Sequence, residues 1–193
     1  MQRIVVIGTT GSGKSRLAAE LSQRTGLRII ELDQLYWGRD WQGVPLELFR
    51  HRVEREISDD GWIVVGNYGQ VRDLVWSAAD TLIWLDLPFP LVMSRLVRRT
   101  VKRAVTKENL WGTGNTESLF RSFFSRQSIL WWAVKTHRRN RERFTAECGS
   151  LSNDKKVVRL QSSSAVRRFV QRGVTASWES RRVGGASGSP ADR

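Results

Sequence analysis

Ile4-Val5-Val6-Ile7 runs directly into Gly8-Thr9-Thr10-Gly11-Ser12-Gly13-Lys14-Ser15, an apolar run followed by the pattern G-x-x-x-x-G-K-[ST]. The β-branched run reads as a buried strand, and Leu17, Ala18 and Leu21 beyond it recur at helical spacing. Strand, glycine-rich loop and helix are the setting in which this pattern makes a P-loop. Glycine at 8, 11 and 13 lets the backbone take positive φ and approach an anion with no Cβ in the way, so successive N–H groups point inward. Gly8 through Ser15, with Thr9, Thr10 and Ser12 filling the loop, are therefore expected to cradle phosphates. Lys14 reaches the β- and γ-phosphates as a point charge, Ser15 offers a hydroxyl to Mg²⁺, and the helix opening at Gly13 adds its positive dipole end.

The first helix is expected to run to about Arg24, with Thr25-Gly26 as its stop. Arg28 to Asp33 reads as a second strand whose period of two places Glu31 and Asp33 on one face at its carboxyl end, where open α/β sheets bind ligands. Two carboxylates there can divide the work, one holding water around Mg²⁺ and the other orienting or deprotonating an attacking group. The plainer reading is a charged strand end fraying into solvent. Tyr36 to Trp41 reads as a loop in which Trp37 and Trp41 either stack on a second substrate or close a core. A helix opened by Pro45 would then bury Leu46, Phe49, Val53 and Ile57.

Trp62 to Val65 is the third expected strand; it leads into the turn Gly66-Asn67-Tyr68-Gly69 and a short helix holding Arg72, Asp73 and Trp76. Thr81 to Asp86 is the fourth strand. The helix after it alternates Phe89, Val92, Met93, Leu96, Val97 and Val101 with Arg95, Arg98, Arg99, Lys102 and Arg103, and leads into a polar stretch suited to a lid over about 103–120. A long helix from about Glu117, carrying Arg126 and a basic end, a fifth strand over Lys156 to Leu160 and a last helix over Ser164 to Gln171 complete the expected domain, 1–173. Residues 174–193, rich in Gly, Ser, Ala and Arg, are expected to be a disordered tail.

The 193 residues, 40% hydrophobic with nine Trp, suit one domain with a sizeable core. No apolar run reaches the roughly eighteen residues of a membrane span, and the N-terminus is a core strand instead of a cleavable leader, so a soluble cytoplasmic protein is expected. Cys148, the single cysteine, makes neither an internal disulfide nor a thiolate metal site. A net charge of +13 calls for an anionic partner, which a phosphate-handling enzyme supplies; nucleic acid is the rival reading and not the favoured one.

With its P-loop after strand one and its basic helices late in the chain, the sequence resembles the P-loop nucleoside and nucleotide kinases, the adenylate kinase-like group, over roughly residues 1–170. Glu31-Leu32-Asp33-Gln34-Leu35-Tyr36-Trp37, Gly66-Asn67-Tyr68 with Arg72 and Asp73, and Trp84-Leu85-Asp86 are similar to small bacterial proteins described as adenylate kinase-like or DNA topology modulation proteins. The resemblance implies a three-layer α/β fold with a parallel five-stranded sheet in order 2-3-1-4-5, helices on both faces and a helical lid. It also implies MgATP as phosphoryl donor to a small acceptor held over strands two and three, by a monomer or homodimer.

Glu31-x-Asp33 is similar to the Asp-x-Asp of shikimate kinases, where the first carboxylate serves the metal's water shell and the second the acceptor. On this basis Ser15 and Glu31 are the expected metal residues. Lys14, Asp33, Arg99 and Arg103 are the expected catalytic ones, and Asp33, Trp37, Asn67, Tyr68 and Arg72 the expected acceptor contacts. Two departures stand out. Val65 replaces the Asp that often ends strand three in the group, so Glu31 or Asp33 must compensate; Arg16 stands where Thr often follows the P-loop Ser, altering contacts near the α-phosphate. The alternative function is a nucleotide-binding regulator acting on nucleic acid with little or no turnover.

Overall fold

The computed structural model describes residues 2–106, 129–151 and 155–172. Its elements follow one another as β1 (Arg3–Gly8), α1 (Lys14–Thr25), β2 (Arg28–Glu31), α2 (Leu32–Tyr36), α3 (Leu46–Glu56), β3 (Trp62–Val65), α4 (Arg72–Ala78), β4 (Thr81–Leu85), α5 (Phe89–Thr106), α6 (Ile129–Gly149), β5 (Lys156–Leu160) and α7 (Ser163–Arg172). The five strands form one sheet in the order β2-β3-β1-β4-β5, every pair parallel. This is the sheet that the family resemblance implies.

Parallel strands joined by helical crossovers are covered on both faces, which is why β1, β3 and β4 are nearly unbroken apolar runs. Alternation assigns each side chain to a layer. Val5 and Ile7 pack with Phe49, Val53, Val71, Val75 and Phe144 under α3, α4 and α6, whereas Ile4 and Val6 pack with Leu17, Ala18, Leu21 and Val170 under α1 and α7. Burying each such side chain contributes roughly 1.5–3 kcal/mol before the entropy of ordering it is counted. Trp62, fully buried at the start of β3, also satisfies its indole N–H on the Ile57 carbonyl at 3.1 Å.

The loops leaving β1 and β3, which are adjacent strands, run to helices on opposite faces of the sheet. A crevice opens between the carboxyl ends of two such strands, and it is where open α/β sheets take ligands.

Local expectations are corrected in three places. β2 ends at Glu31, and Asp33 lies in the first turn of α2 instead of on a strand. Leu32-Asp33-Gln34-Leu35-Tyr36 contains no β-branched residue, and turning it into a helix buries Leu32 in the core. On α3, Phe49 and Val53 are buried but Leu46, in its first turn, is exposed. On α5, Val92 and Leu96 make the buried contacts while Phe89 and Val101 remain exposed. Most of the expected lid, the start of the long helix with Arg126, and the tail lie outside the described residues.

Candidate active site

The P-loop bends from β1 into α1 through three left-handed glycines, Gly8 at φ 150°, Gly11 at 79° and Gly13 at 97°. Two of them are also needed for space. A Cβ on Gly8 would stand 2.8 Å from the Leu85 carbonyl oxygen and from Ser12 Oγ, and one on Gly11 2.9 Å from the Val92 carbonyl oxygen and Leu96 Cβ. At Gly13 the nearest such contact is Arg95 Nη1 at 3.6 Å, which leaves the mouth of the loop open toward a guanidinium. The buried Ser12 hydroxyl has no hydrogen-bond partner among the described residues, and a phosphate oxygen in the loop would supply one.

Lys14 folds back over this loop. Its Nζ donates to the carbonyls of Gly8 at 2.9 Å and Thr9 at 3.2 Å. Burial pulls its pKa down from 10.5 to about 8; Asp33 and Glu31 oppose the fall and Arg99 adds to it. Glu31 is raised, mainly by burial, while it accepts a hydrogen bond from the Ser15 side chain and feels Asp33, Lys14 and Arg103. The tertiary structure thus brings Lys14, Ser15, Glu31, Asp33, Arg99 and Arg103 within one electrostatic neighbourhood.

Arg95, Arg99 and Arg103 are spaced by four on α5 and are half-buried, whereas Arg98 and Lys102 between them are exposed. Arg95 donates to the Ser12 carbonyl at 3.2 Å and to Ser163 Oγ at 2.9 Å, tying the P-loop to the start of α7. Like charges four apart on a helix repel one another, a repulsion that an anion beside the row would relieve. Spacing by four was the sequence signal for Arg95, which reads along the chain as one more residue of a basic face.

Tyr68 donates its hydroxyl proton to Asp33 Oδ1 at 2.6 Å and accepts a hydrogen bond from the Trp37 side chain. Burial, then the Asp33 charge, raise the Tyr68 pKa. The Tyr68 ring lies 4.9 Å from that of Tyr36 and 5.2 Å from that of Phe49, and Trp37 stands edge-on to Tyr36 at 4.8 Å and to Trp41 at 5.9 Å. Both tryptophans are half-buried.

No protein-family model matches the chain, and no curated protein sequence does. Solved structures do. A shikimate kinase from Bacteroides thetaiotaomicron superposes with a TM-score of 0.56 at 13% identity, covering 92% of this chain and 98% of that one. A gluconokinase from Sinorhizobium meliloti 1021 gives 0.51 at 15% identity over 95% and 97%, and a sugar kinase from Janibacter sp. HTCC2649 gives 0.50 at 15% identity over 98% and 99%. This is the P-loop kinase fold.

Within that fold two expected acceptor contacts have other partners. Arg72 is ion-paired with Glu147 of α6, which also lies 3.5 Å from Arg143, and it stacks over Trp76. Asn67 directs its amide at Gly8: Nδ2 donates to the Gly8 carbonyl at 2.5 Å, and the Gly8 N–H donates to Oδ1 at 3.2 Å. Asp86, at the end of β4, is buried between Arg159, at 2.6 Å, and Arg141, at 3.1 Å. No cluster of three or more His, Cys, Asp or Glu suited to a metal occurs among the described residues. Mg²⁺, which prefers to keep several waters and to bind through one or two protein groups with substrate phosphates, fits the Ser15–Glu31 pair better than a closed protein cage. No described helix is long and apolar enough to cross a membrane.

Proposed function

We propose that the protein transfers the γ-phosphoryl group of MgATP to the hydroxyl of a small acceptor. The observation that supports this best is the setting of Lys14: a desolvated ammonium resting on two loop carbonyls, beside two carboxylates and an arginine row. Phosphoryl transfer needs little covalent chemistry from the protein and depends on positioning and charge neutralisation.

The amides of residues 8–16 hold the donor's phosphates and Lys14 leaves the loop carbonyls to meet them. Ser15 and Glu31 hold Mg²⁺, which when bound neutralises charge on the phosphate oxygens. Asp33, its Oδ1 held by Tyr68, keeps its second oxygen to receive the acceptor's hydroxyl proton. Arg99 and Arg103 stabilise charge on the transferring group. Trp37 and Tyr68 border the acceptor, and Arg72 can turn to an anionic acceptor group because Arg143 remains beside Glu147 when it does. The protein works in the cytoplasm as a monomer or homodimer.

The test is a screen of nucleosides, nucleotides, sugars and hydroxylated acids for acceptor-dependent ADP release. A kinase gives release that saturates with one class and disappears in Lys14→Ala. ATP binding without any acceptor-dependent release, together with DNA affinity that falls steeply with salt, would replace this reading by that of a nucleic-acid regulator.

A further inference from the structure

The β1–β3 ladder stops one pair too early for the loop it supports. Its last registered pair is Val6 with Val65, followed by a long bond of 3.4 Å from the Gly66 N–H to the Val6 carbonyl. Gly66, at φ 146°, then turns the chain away, with a Cβ there barred by the Leu32 side chain at 2.9 Å. The N–H and C=O of Gly8 consequently look across the crevice toward β3 where the strand's backbone has already left. Two unpaired backbone groups in a partly buried place would be costly.

We propose that Asn67 is a positioning residue of the phosphate cradle, its side-chain amide replacing the missing strand pair and holding Gly8 in working shape when Lys14 departs for a phosphate. This rests on the nucleotide-binding part of the function proposed above. A carboxamide carries the same donor and acceptor as a peptide group, and Asn67 uses both on the two backbone groups of one residue, at 2.5 and 3.2 Å.

The Gly8 carbonyl has a second donor, Lys14 Nζ at 2.9 Å, and the Thr9 carbonyl is shared by Lys14 and the Ser12 N–H, the latter at 3.1 Å. When Lys14 moves to a phosphate, Ser12 still satisfies Thr9 and Asn67 still satisfies Gly8. Neither carbonyl is orphaned, so the ammonium is released at little cost. Asp at 67 lacks the donor and would set a carboxylate oxygen against the Gly8 carbonyl; Ala lacks both groups. Asn67 acts through Gly8 and is assigned no contact with the acceptor.

The experiment compares the full chain with Asn67→Ala and Asn67→Asp. Affinities for MgATP and for inorganic tripolyphosphate, which engages the cradle without a base or ribose, are measured by calorimetry, and backbone hydrogen exchange is measured without ligand. Both affinities are expected to weaken about tenfold or more in N67A, and further in N67D, because a loop carbonyl is left without a donor when Lys14 leaves. Exchange is expected to quicken over residues 8–13 while β1, β3 and β4 stay protected. Affinities within about twofold of the parent for both ligands would overturn the proposal, as would faster exchange spread over all the strands, which would make Asn67 a support of the whole fold. If the parent chain binds neither ligand, the nucleotide reading itself fails. The exchange pattern then decides by itself, unchanged protection at 8–13 counting against Asn67.

Discussion

Glu31 and Val65 are register partners across the β2–β3 ladder, so their side chains leave the sheet on the same face, the one covered by α1. The position at which the resembling kinases often place an Asp is apolar here, and a carboxylate stands one strand away, reached by the Ser15 hydroxyl. Glu31→Gln is therefore expected to raise the Mg²⁺ needed for half-maximal turnover by about ten- to a hundredfold, the usual effect of removing a carboxylate that orients a metal's surroundings. Mg²⁺ titration of ATP turnover in both proteins checks it; an unchanged requirement removes Glu31 from the metal site.

Lys14 has a pKa lowered from 10.5 to about 8 in the nucleotide-free protein. Between those values the unfolded chain holds the proton that the folded chain has lost, so stability rises as pH goes from about 8 toward 10.5. Lys14→Met should flatten that rise. A phosphate beside Lys14 restores its charge, so ATP binding near pH 8.5 is expected to take up a proton and to weaken at higher pH. Calorimetry in buffers of different ionisation enthalpy measures the uptake. Lys14→Ala should lose most ATP affinity without a lower melting temperature.

In the proposed mechanism Asp33 accepts the acceptor's proton, so Asp33→Asn is expected to cut turnover by about a hundred- to ten-thousandfold with ATP affinity nearly unchanged. Tyr68→Phe keeps the ring against Tyr36 and Phe49 but removes the 2.6 Å bond that fixes Asp33. Its effect should be smaller, about tenfold in turnover, with melting little altered. Steady-state kinetics with the acceptor identified by the screen separates the two; equal losses would argue that Tyr68 itself touches the reacting groups.

Asp86 is a fastening between β4, β5 and α6. It lies between Arg159 and Arg141, and Arg159 also covers the Trp84 ring at 4.3 Å. Asp86→Ala is expected to lower stability by about 1–3 kcal/mol, because two guanidiniums lose their shared acceptor, while ATP affinity stays as it was. Denaturant unfolding and ATP calorimetry on the variant check both halves. A loss of affinity at unchanged stability would move Asp86 into the nucleotide site.

The strands and the loop were legible in the sequence by itself, because both rest on short-range patterns, while the order of the strands came from the family resemblance. Apolar runs of four or five residues separated by helical periodicity specify parallel strands with covered faces, and three glycines with Lys14 and Ser15 specify a loop whose backbone must face an anion. What lay beyond it was who partners whom. Asp33 was readable as a carboxylate near the site, but its place on a helix turn depended on burying Leu32 in the core, a demand local propensity does not express. Arg95 was one cation among five on a basic helix until the docking of α5 against Gly11 turned it toward Ser12. Asn67 was legible as a turn residue at the ligand end of β3 and was expected to touch the acceptor, whereas its pairing with Gly8 bridges 59 positions of sequence. Such choices follow from which unsatisfied polar groups the folded chain brings within 3 Å of one another, and that distance exists only once the sheet has closed around its crevice.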